Sequence, residues 1–158
     1  MEYGADMRNE TVLSFKWGFL QVIDDGRAIV GLKFMADAVG SVTVSSLAEN
    51  LKVQLSEYFL GRRKIFDIPL KYTGTDFQLA VWRHLHLIPY GETQTYKQVA
   101  EAIGCPKACR AVGAACHCNP IAIVIPCHRV VGKNESLIGY AGSIEVKQWL
   151  LNLEKQNK

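Results

Sequence analysis

Through the first third of the chain, apolar and β-branched residues come in short runs. After that they recur every three or four positions. Residues 11–16, 17–23 and 27–34 are rich in Val, Ile, Leu, Phe and Thr, which predicts three strands. Asp24-Asp25-Gly26 supplies turn chemistry between the second and third. Val42-Thr43-Val44 predicts a short edge strand. From Ser46 the period lengthens: Leu47, Leu51, Leu55, Tyr58 and Phe59 fall near one face. That pattern predicts a helix over 47–60, capped by Ser46 and stopped by Gly61. The stretch from Pro69 to Gly74 reads as a linker and divides the chain into domains 1–72 and 73–158.

Beyond the linker the pattern is helical. Thr75 with Gln78 makes a capping box that opens a helix to about Leu87, and Pro89-Tyr90-Gly91 ends it. Thr95 with Gln98 makes a second box for a helix through Ile103, closed by Gly104. Pro106 suits the first position of a further helix to about Cys118, with Asn119-Pro120 as its stop. Two short helices joined by a tight, glycine-containing turn predict a helix-turn-helix. The second is small-sided, with Ala108, Ala111, Gly113, Ala114 and Ala115. Such a helix lets its backbone come close to a neighbouring helix or to a nucleic acid. Residues 121–125 form a continuous apolar run, which predicts a buried strand or extended segment. Residues 131–142, with three glycines, predict a loop or wing, and Ser143 caps a last helix to about Glu154.

Composition narrows the class. The chain has 158 residues, 49% hydrophobic and 21% charged, as in globular proteins with a real core. No apolar run approaches the roughly 20 residues that span a bilayer. Met1 to Asp6 lacks the basic start and apolar stretch of a secretion signal, so a soluble, cytoplasmic protein without membrane association is expected (nuclear in a eukaryote). Five cysteines without an export signal predict free thiols rather than disulfides. The net charge of +3 is uneven. Residues 1–74 carry nine basic and nine acidic side chains, and residues 75–158 carry nine and six. A basic C-terminal half fits a polyanionic partner.

One cysteine stands out. Cys127 follows a buried segment and Pro126, which fix its position, and it precedes His128 and Arg129, groups that favour a thiolate. Neighbours in an extended strand point apart, so the pairing requires a turn here. The other four cysteines, with His117, invite a metal reading. However, Cys116-His117-Cys118 is not a zinc-knuckle spacing, and no metal or cofactor is expected. His84 and His86 read as structural or surface groups.

Ile125-Pro126-Cys127-His128-Arg129-Val130-Val131 resembles the active-site signature of the O6-alkylguanine-DNA alkyltransferases, the methylated-DNA–protein-cysteine methyltransferases. Arg110-Ala111-Val112-Gly113, Asn119-Pro120 and Thr95-Tyr96 match further family motifs in order and spacing, so the likeness covers residues 75–155. It implies a small α/β domain, sheet plus helix, followed by a helical, winged-helix-like DNA-binding domain. The implied activity is single-turnover transfer of an alkyl group from guanine O6, and from O4-alkylthymine, onto Cys127. A water would link Cys127 to His128, which Glu154 would hold. A carboxylate at a helix C-terminus is unfavourable, and that misplacement itself asks for a partner. Asn119 would brace the turn presenting Cys127, and Tyr96 would donate to the departing base.

The same likeness implies DNA contacts by Thr95, Arg110, Ala111, Gly113 and Arg129, with Arg110 filling the stack that a flipped base leaves. The small-sided helix would enter the minor groove of duplex DNA, the protein acting as a monomer. Cys116, Val130, Tyr140 and Lys147 would form the base pocket. The chain departs from the pattern at Ala141, where many members have Ser, and at Cys116-His117. A lesion binder without transfer, a cysteine hydrolase using Cys127 and His128, and a transcription regulator remain alternatives. The reactive cysteine speaks against the first, and the second would turn over repeatedly.

Overall fold

A computed structural model describes residues 8–38, 40 and 43–158. The readings placed on Met1 to Asp6 and on Val42 lie outside the described residues. The architecture is mixed α and β, and the chain divides into two compact units between Tyr72 and Thr73.

In the first unit, β1 (Asn9–Phe15), β2 (Gly18–Asp24) and β3 (Ile29–Met35) form an antiparallel meander in the order β1-β2-β3. Alternation puts Leu13 opposite Leu20 and Val22 opposite Leu32, all buried. Helix α1 (Ser46–Phe59) adds Ala48, Leu51, Leu55 and Tyr58 to the core. It starts one residue earlier than the pattern predicts, because Ser45 is the cap. Its Oγ accepts from Ala48 N and donates to Asp24 Oδ2 at 2.6 Å. Gly61, at φ +74°, ends the helix in the left-handed conformation as expected. Thr43 hangs on β1 through its backbone, but Thr43 and Val44 form no strand.

The expected linker is shorter than predicted. Ile29 N donates to Pro69 O and Lys71 N to Ile29 O, so residues 69–71 are docked on β3.

The second unit holds α2 (Asp76–Leu85), β4 (Gln94–Thr95), α3 (Tyr96–Ala102), α4 (Cys109–His117), β5 (Val130–Val131) and α5 (Ile144–Gln156). Thr75 and Thr95 both form complete capping boxes. α3 and α4, joined through Gly104 at φ +77°, make the helix-turn-helix. Pro106 is not inside α4. A tight turn from Cys105 to Ala108 precedes it, closed by Ala108 N on Cys105 O. Trp82 ties α2 to α4, its Nε1 donating to Ala115 O at 2.8 Å. Among the described residues no helix is long and apolar enough to cross a membrane.

The apolar run 121–125 is buried, but it is not a strand. Ile125 N returns to Ile121 O and Val124 N to Ala122 O, with Ile123 at φ +70°. A β-branched residue there costs on the order of 1–3 kcal/mol. What holds the turn is Asn119, which bonds the backbone at both of its ends.

Candidate active site

The strained turn delivers Cys127 into one 3-10 turn, Cys127–Arg129, which turns Cys127 toward Asn119 and both His128 and Arg129 toward Glu154. Asn119 spans the turn from both ends. Its Oδ1 accepts from Ile121 N at 2.9 Å and its Nδ2 donates to Ile125 O at 2.7 Å. The same Nδ2 lies 3.0 Å from Cys127 Sγ. One amide therefore fixes the backbone and touches the sulfur.

Behind the thiol lies a fully buried polar cluster. His128 Nε2 meets Glu154 Oε2 at 2.7 Å, which leaves Nδ1 as the ring nitrogen that Glu154 does not engage. Arg129 donates to both Glu154 oxygens, Nε at 2.8 Å and Nη2 at 3.1 Å, and its Nη1 donates to Ile88 O. Gly91 N adds a further donor to Glu154 Oε1. Glu154, on the last turns of α5, has the partners that its position at a helix end demands.

This geometry corrects one expectation. Arg129 does not stand free for DNA; it is 8% exposed and its guanidinium is engaged within the fold. A buried charge needs a buried partner, and Glu154 is that partner.

Electrostatics corrects a second. Burial pushes the Cys127 thiol up, and the Asn119 hydrogen bond and Lys147 only partly offset it, so the resting sulfur is a thiol and not a thiolate. Burial likewise keeps the His128 ring below its ordinary value, against the pull of Glu154, so the ring rests neutral. Burial opposes charge on Glu154 too, yet His128 and Arg129 outweigh it and hold the carboxyl far below the usual carboxylate range. The result is a neutral thiol near a neutral base backed by a fixed carboxylate. A proton moved from sulfur to imidazole would create an imidazolium that Glu154 stabilises.

Cys127 opens onto a cavity of about 370 Å³. Tyr96, Arg110, Gly113, Cys116 and Tyr140 are among its lining residues; of the four residues expected to form the base pocket, Cys116 and Tyr140 are there. Pattern reasoning passed over Cys109 and Ile138, which line it as well. Tyr96 donates to Ile138 O at 3.3 Å, and its phenol is pushed up to about 12 by burial and the nearby cysteines, so it remains a donor at any working pH. Burial also holds the Tyr140 phenol well above its ordinary value.

Val130 and Lys147 are absent from the lining and serve behind it. Lys147 Nζ donates to Val130 O at 2.6 Å and stands 5.9 Å from the Tyr96 ring. Thr95 is used as the α3 cap, its Oγ1 accepting from Gln98 N. Arg110, Ala111 and Ala114 are exposed, so α4 presents a small-sided face beside the cavity mouth.

Residues 76–156 match the family description "6-O-methylguanine DNA methyltransferase, DNA binding domain", and residues 9–72 match "6-O-methylguanine DNA methyltransferase, ribonuclease-like domain". The chain is 53% identical over 108 residues to the inducible methylated-DNA–protein-cysteine methyltransferase of Bacillus subtilis, covering 68% of this chain and 60% of that protein. It is 55% identical over 104 residues to the methylated-DNA–protein-cysteine methyltransferase of Methanosarcina barkeri, covering 66% of each. The match therefore spans less than two thirds of the length of these two relatives. Among solved structures, O6-methylguanine methyltransferase of Mycobacterium tuberculosis superposes with a TM-score of 0.87 at 38% identity, covering 96% of this chain and 95% of that one. A complex of the M. tuberculosis protein with DNA superposes at 0.85 and 40% identity, covering 92% of both.

Proposed function

The chain belongs to the 6-O-methylguanine DNA methyltransferase family, and on that premise we propose that it reverses DNA alkylation by moving the alkyl group from guanine O6 onto Cys127, once per chain. The observation that carries this reading is a thiol at a base-sized cavity, with Asn119 on the sulfur and the His128–Glu154 pair behind it.

His128 takes the thiol proton through a water, using the ring nitrogen that Glu154 leaves unengaged. The thiolate, soft and now charged, attacks the saturated carbon on O6, and the C–O bond breaks. Charge develops on the departing guanine, and Tyr96 supplies a proton or hydrogen bond to it. Glu154 stays ionised and stabilises the imidazolium without taking the proton. The product is a thioether with no carbonyl for water to attack, so the thiol does not return. O4-alkylthymine, which offers the same O–C bond, is a second substrate.

The target atom lies inside the stacked duplex, so the base must be flipped out at a cost of roughly a few kcal/mol. Arg110, exposed at the cavity mouth, fills the gap. The small-sided face of α4, with Ala111 and Gly113, suits the minor groove, about 6 Å wide. Binding rests on phosphates and shape, weakens with salt and shows little sequence preference. Thr95, at the start of α3, adds a backbone contact. Domain 73–158 holds the chemistry, the protein works as a monomer, and its place is with the DNA in the cytoplasm (or nucleus).

Intact-mass measurement after mixing with duplex containing O6-methylguanine tests the reading. One methyl should appear, map to Cys127 and vanish in Cys127→Ser. Repeated cleavage of esters or peptides without a stable adduct would instead make the protein a hydrolase.

A further inference from the structure

The alkyl transfer uses one thiol, yet the cavity is lined by three: Cys109, Cys116 and Cys127, all free. Cys116 is the one that keeps company with Cys127. Its carbonyl accepts from the backbone N–H of Asn119 at 3.2 Å, and Asn119 Nδ2 lies 3.0 Å from Cys127 Sγ, so one residue bridges the two cysteines. Cys109 is seven residues further up α4, roughly 10 Å along its axis. The pair also shares a cation. Burial raises both thiols, Cys116 to about 12 with Cys127 adding to it, and Lys147 offsets only part of that rise, while each cysteine in turn acts on Lys147. Cys116 has no part in alkyl transfer beyond forming the wall.

We propose that Cys116 is the resolving thiol of Cys127: when a hydroperoxide enters the cavity, the two close a reversible disulfide that shields the single-use sulfur from irreversible oxidation. The Cys127 thiolate, formed by proton loss to His128, attacks one peroxide oxygen. The O–O bond breaks, hydroxide leaves and is protonated to water, and a sulfenic acid forms. The Cys116 sulfur, on losing its proton, attacks the Cys127 sulfur. The S–O bond breaks, and the departing hydroxide takes up a proton as a second water. The thiol pair gives up two electrons and the peroxide accepts them. A sulfenic acid without such a neighbour proceeds to sulfinic and sulfonic acids, which dithiols do not reverse.

The test is hydrogen peroxide treatment of the full chain, followed by intact-mass measurement, peptide mapping without reductant, and methyl transfer assayed before and after dithiothreitol. Wild type should lose two hydrogens, yield a Cys116–Cys127 cross-linked peptide and recover most of its own untreated transfer. Cys116→Ser should instead gain oxygen on Cys127 and recover little, each protein being scaled to its unoxidised activity. Cys116→Ala replaces that variant if it folds poorly, and wild-type mapping stands without either. Oxygen addition alone in wild type, a cross-link to another cysteine, or full recovery in both Cys116 variants overturns the proposal. The mass readout is independent of repair, so absence of methyl transfer by reduced wild type would count against the proposed function and not against the disulfide.

Discussion

Each unit of the protein buries a carboxylate completely, and the two are used in opposite ways. Asp24, in the first unit, meets neutral donors alone among the described residues: Asn9 Nδ2, Gly26 N and the Ser45 hydroxyl. These tie a strand end, a turn and the cap of α1 together, so its charge serves the fold. Glu154, in the second unit, meets a titratable ring, a guanidinium and one backbone amide. Its charge is held by Arg129 and offered to His128. A buried carboxylate surrounded by neutral donors is a structural tie. One placed between a fixed cation and a base near a nucleophile sets a proton's destination.

Substitution separates the two carboxylates and the groups around them. His128→Ala should have the largest effect, slowing transfer roughly 10²–10⁴-fold near neutral pH. Its profile should also change. Wild-type rate should stay level down past pH 6.5, because burial keeps the ring neutral, and fall only as the ring protonates. The variant should gain about tenfold per pH unit toward alkaline pH, where the thiol ionises unaided. A variant with an unchanged profile would remove His128 as the base.

Glu154→Gln should slow transfer by roughly 10–100-fold and also cost about 3–5 kcal/mol of stability, since Arg129 is left buried without its partner. The signs can be followed by chemical denaturation across pH. A carboxyl held below its ordinary 4.5 adds stability above that pH and loses it as pH falls. His128, held below 6.5, weakens the fold already as pH drops through that value, because the unfolded ring takes up a proton first. Wild type should therefore weaken from about pH 6.5 downward, and Glu154→Gln should lack the further loss below 4.5.

Arg110→Ala should cost about 1–3 kcal/mol in duplex repair and far less in transfer from free O6-benzylguanine. Equal losses in both assays would leave it without a role in base flipping. Asp24→Asn should have the smallest effect on chemistry. It should lower stability by about 1–3 kcal/mol while the rate per folded molecule stays within about twofold. A loss of rate as deep as that of Glu154→Gln would erase the distinction between the two carboxylates.

What the sequence discloses is local. Both capping boxes, the Gly61 stop and the Ser143 cap depend on residues three or four apart, and all are present as read. What it conceals depends on distant partners. Ser45 displaces Ser46 as cap because Asp24 lies beside it. The apolar run 121–125 turns instead of extending because Asn119 satisfies both of its ends. Arg129 looks like a surface cation in a basic motif, and its partner is 25 residues away. The available signal is its place two residues after Cys127, whose position a buried segment and Pro126 fix. Cys127 and His128 are legible as a pair, but the protonation of the sulfur is not, because it follows from burial and not from neighbours in sequence.

The most direct test of the central claim is a titration of the protein with increasing excess of duplex bearing O6-methylguanine, counting methyl groups on protein and demethylated guanine released. Both should rise together and stop at one per chain, however large the excess or long the incubation. Continued release of repaired guanine beyond that plateau would contradict single-use transfer to Cys127.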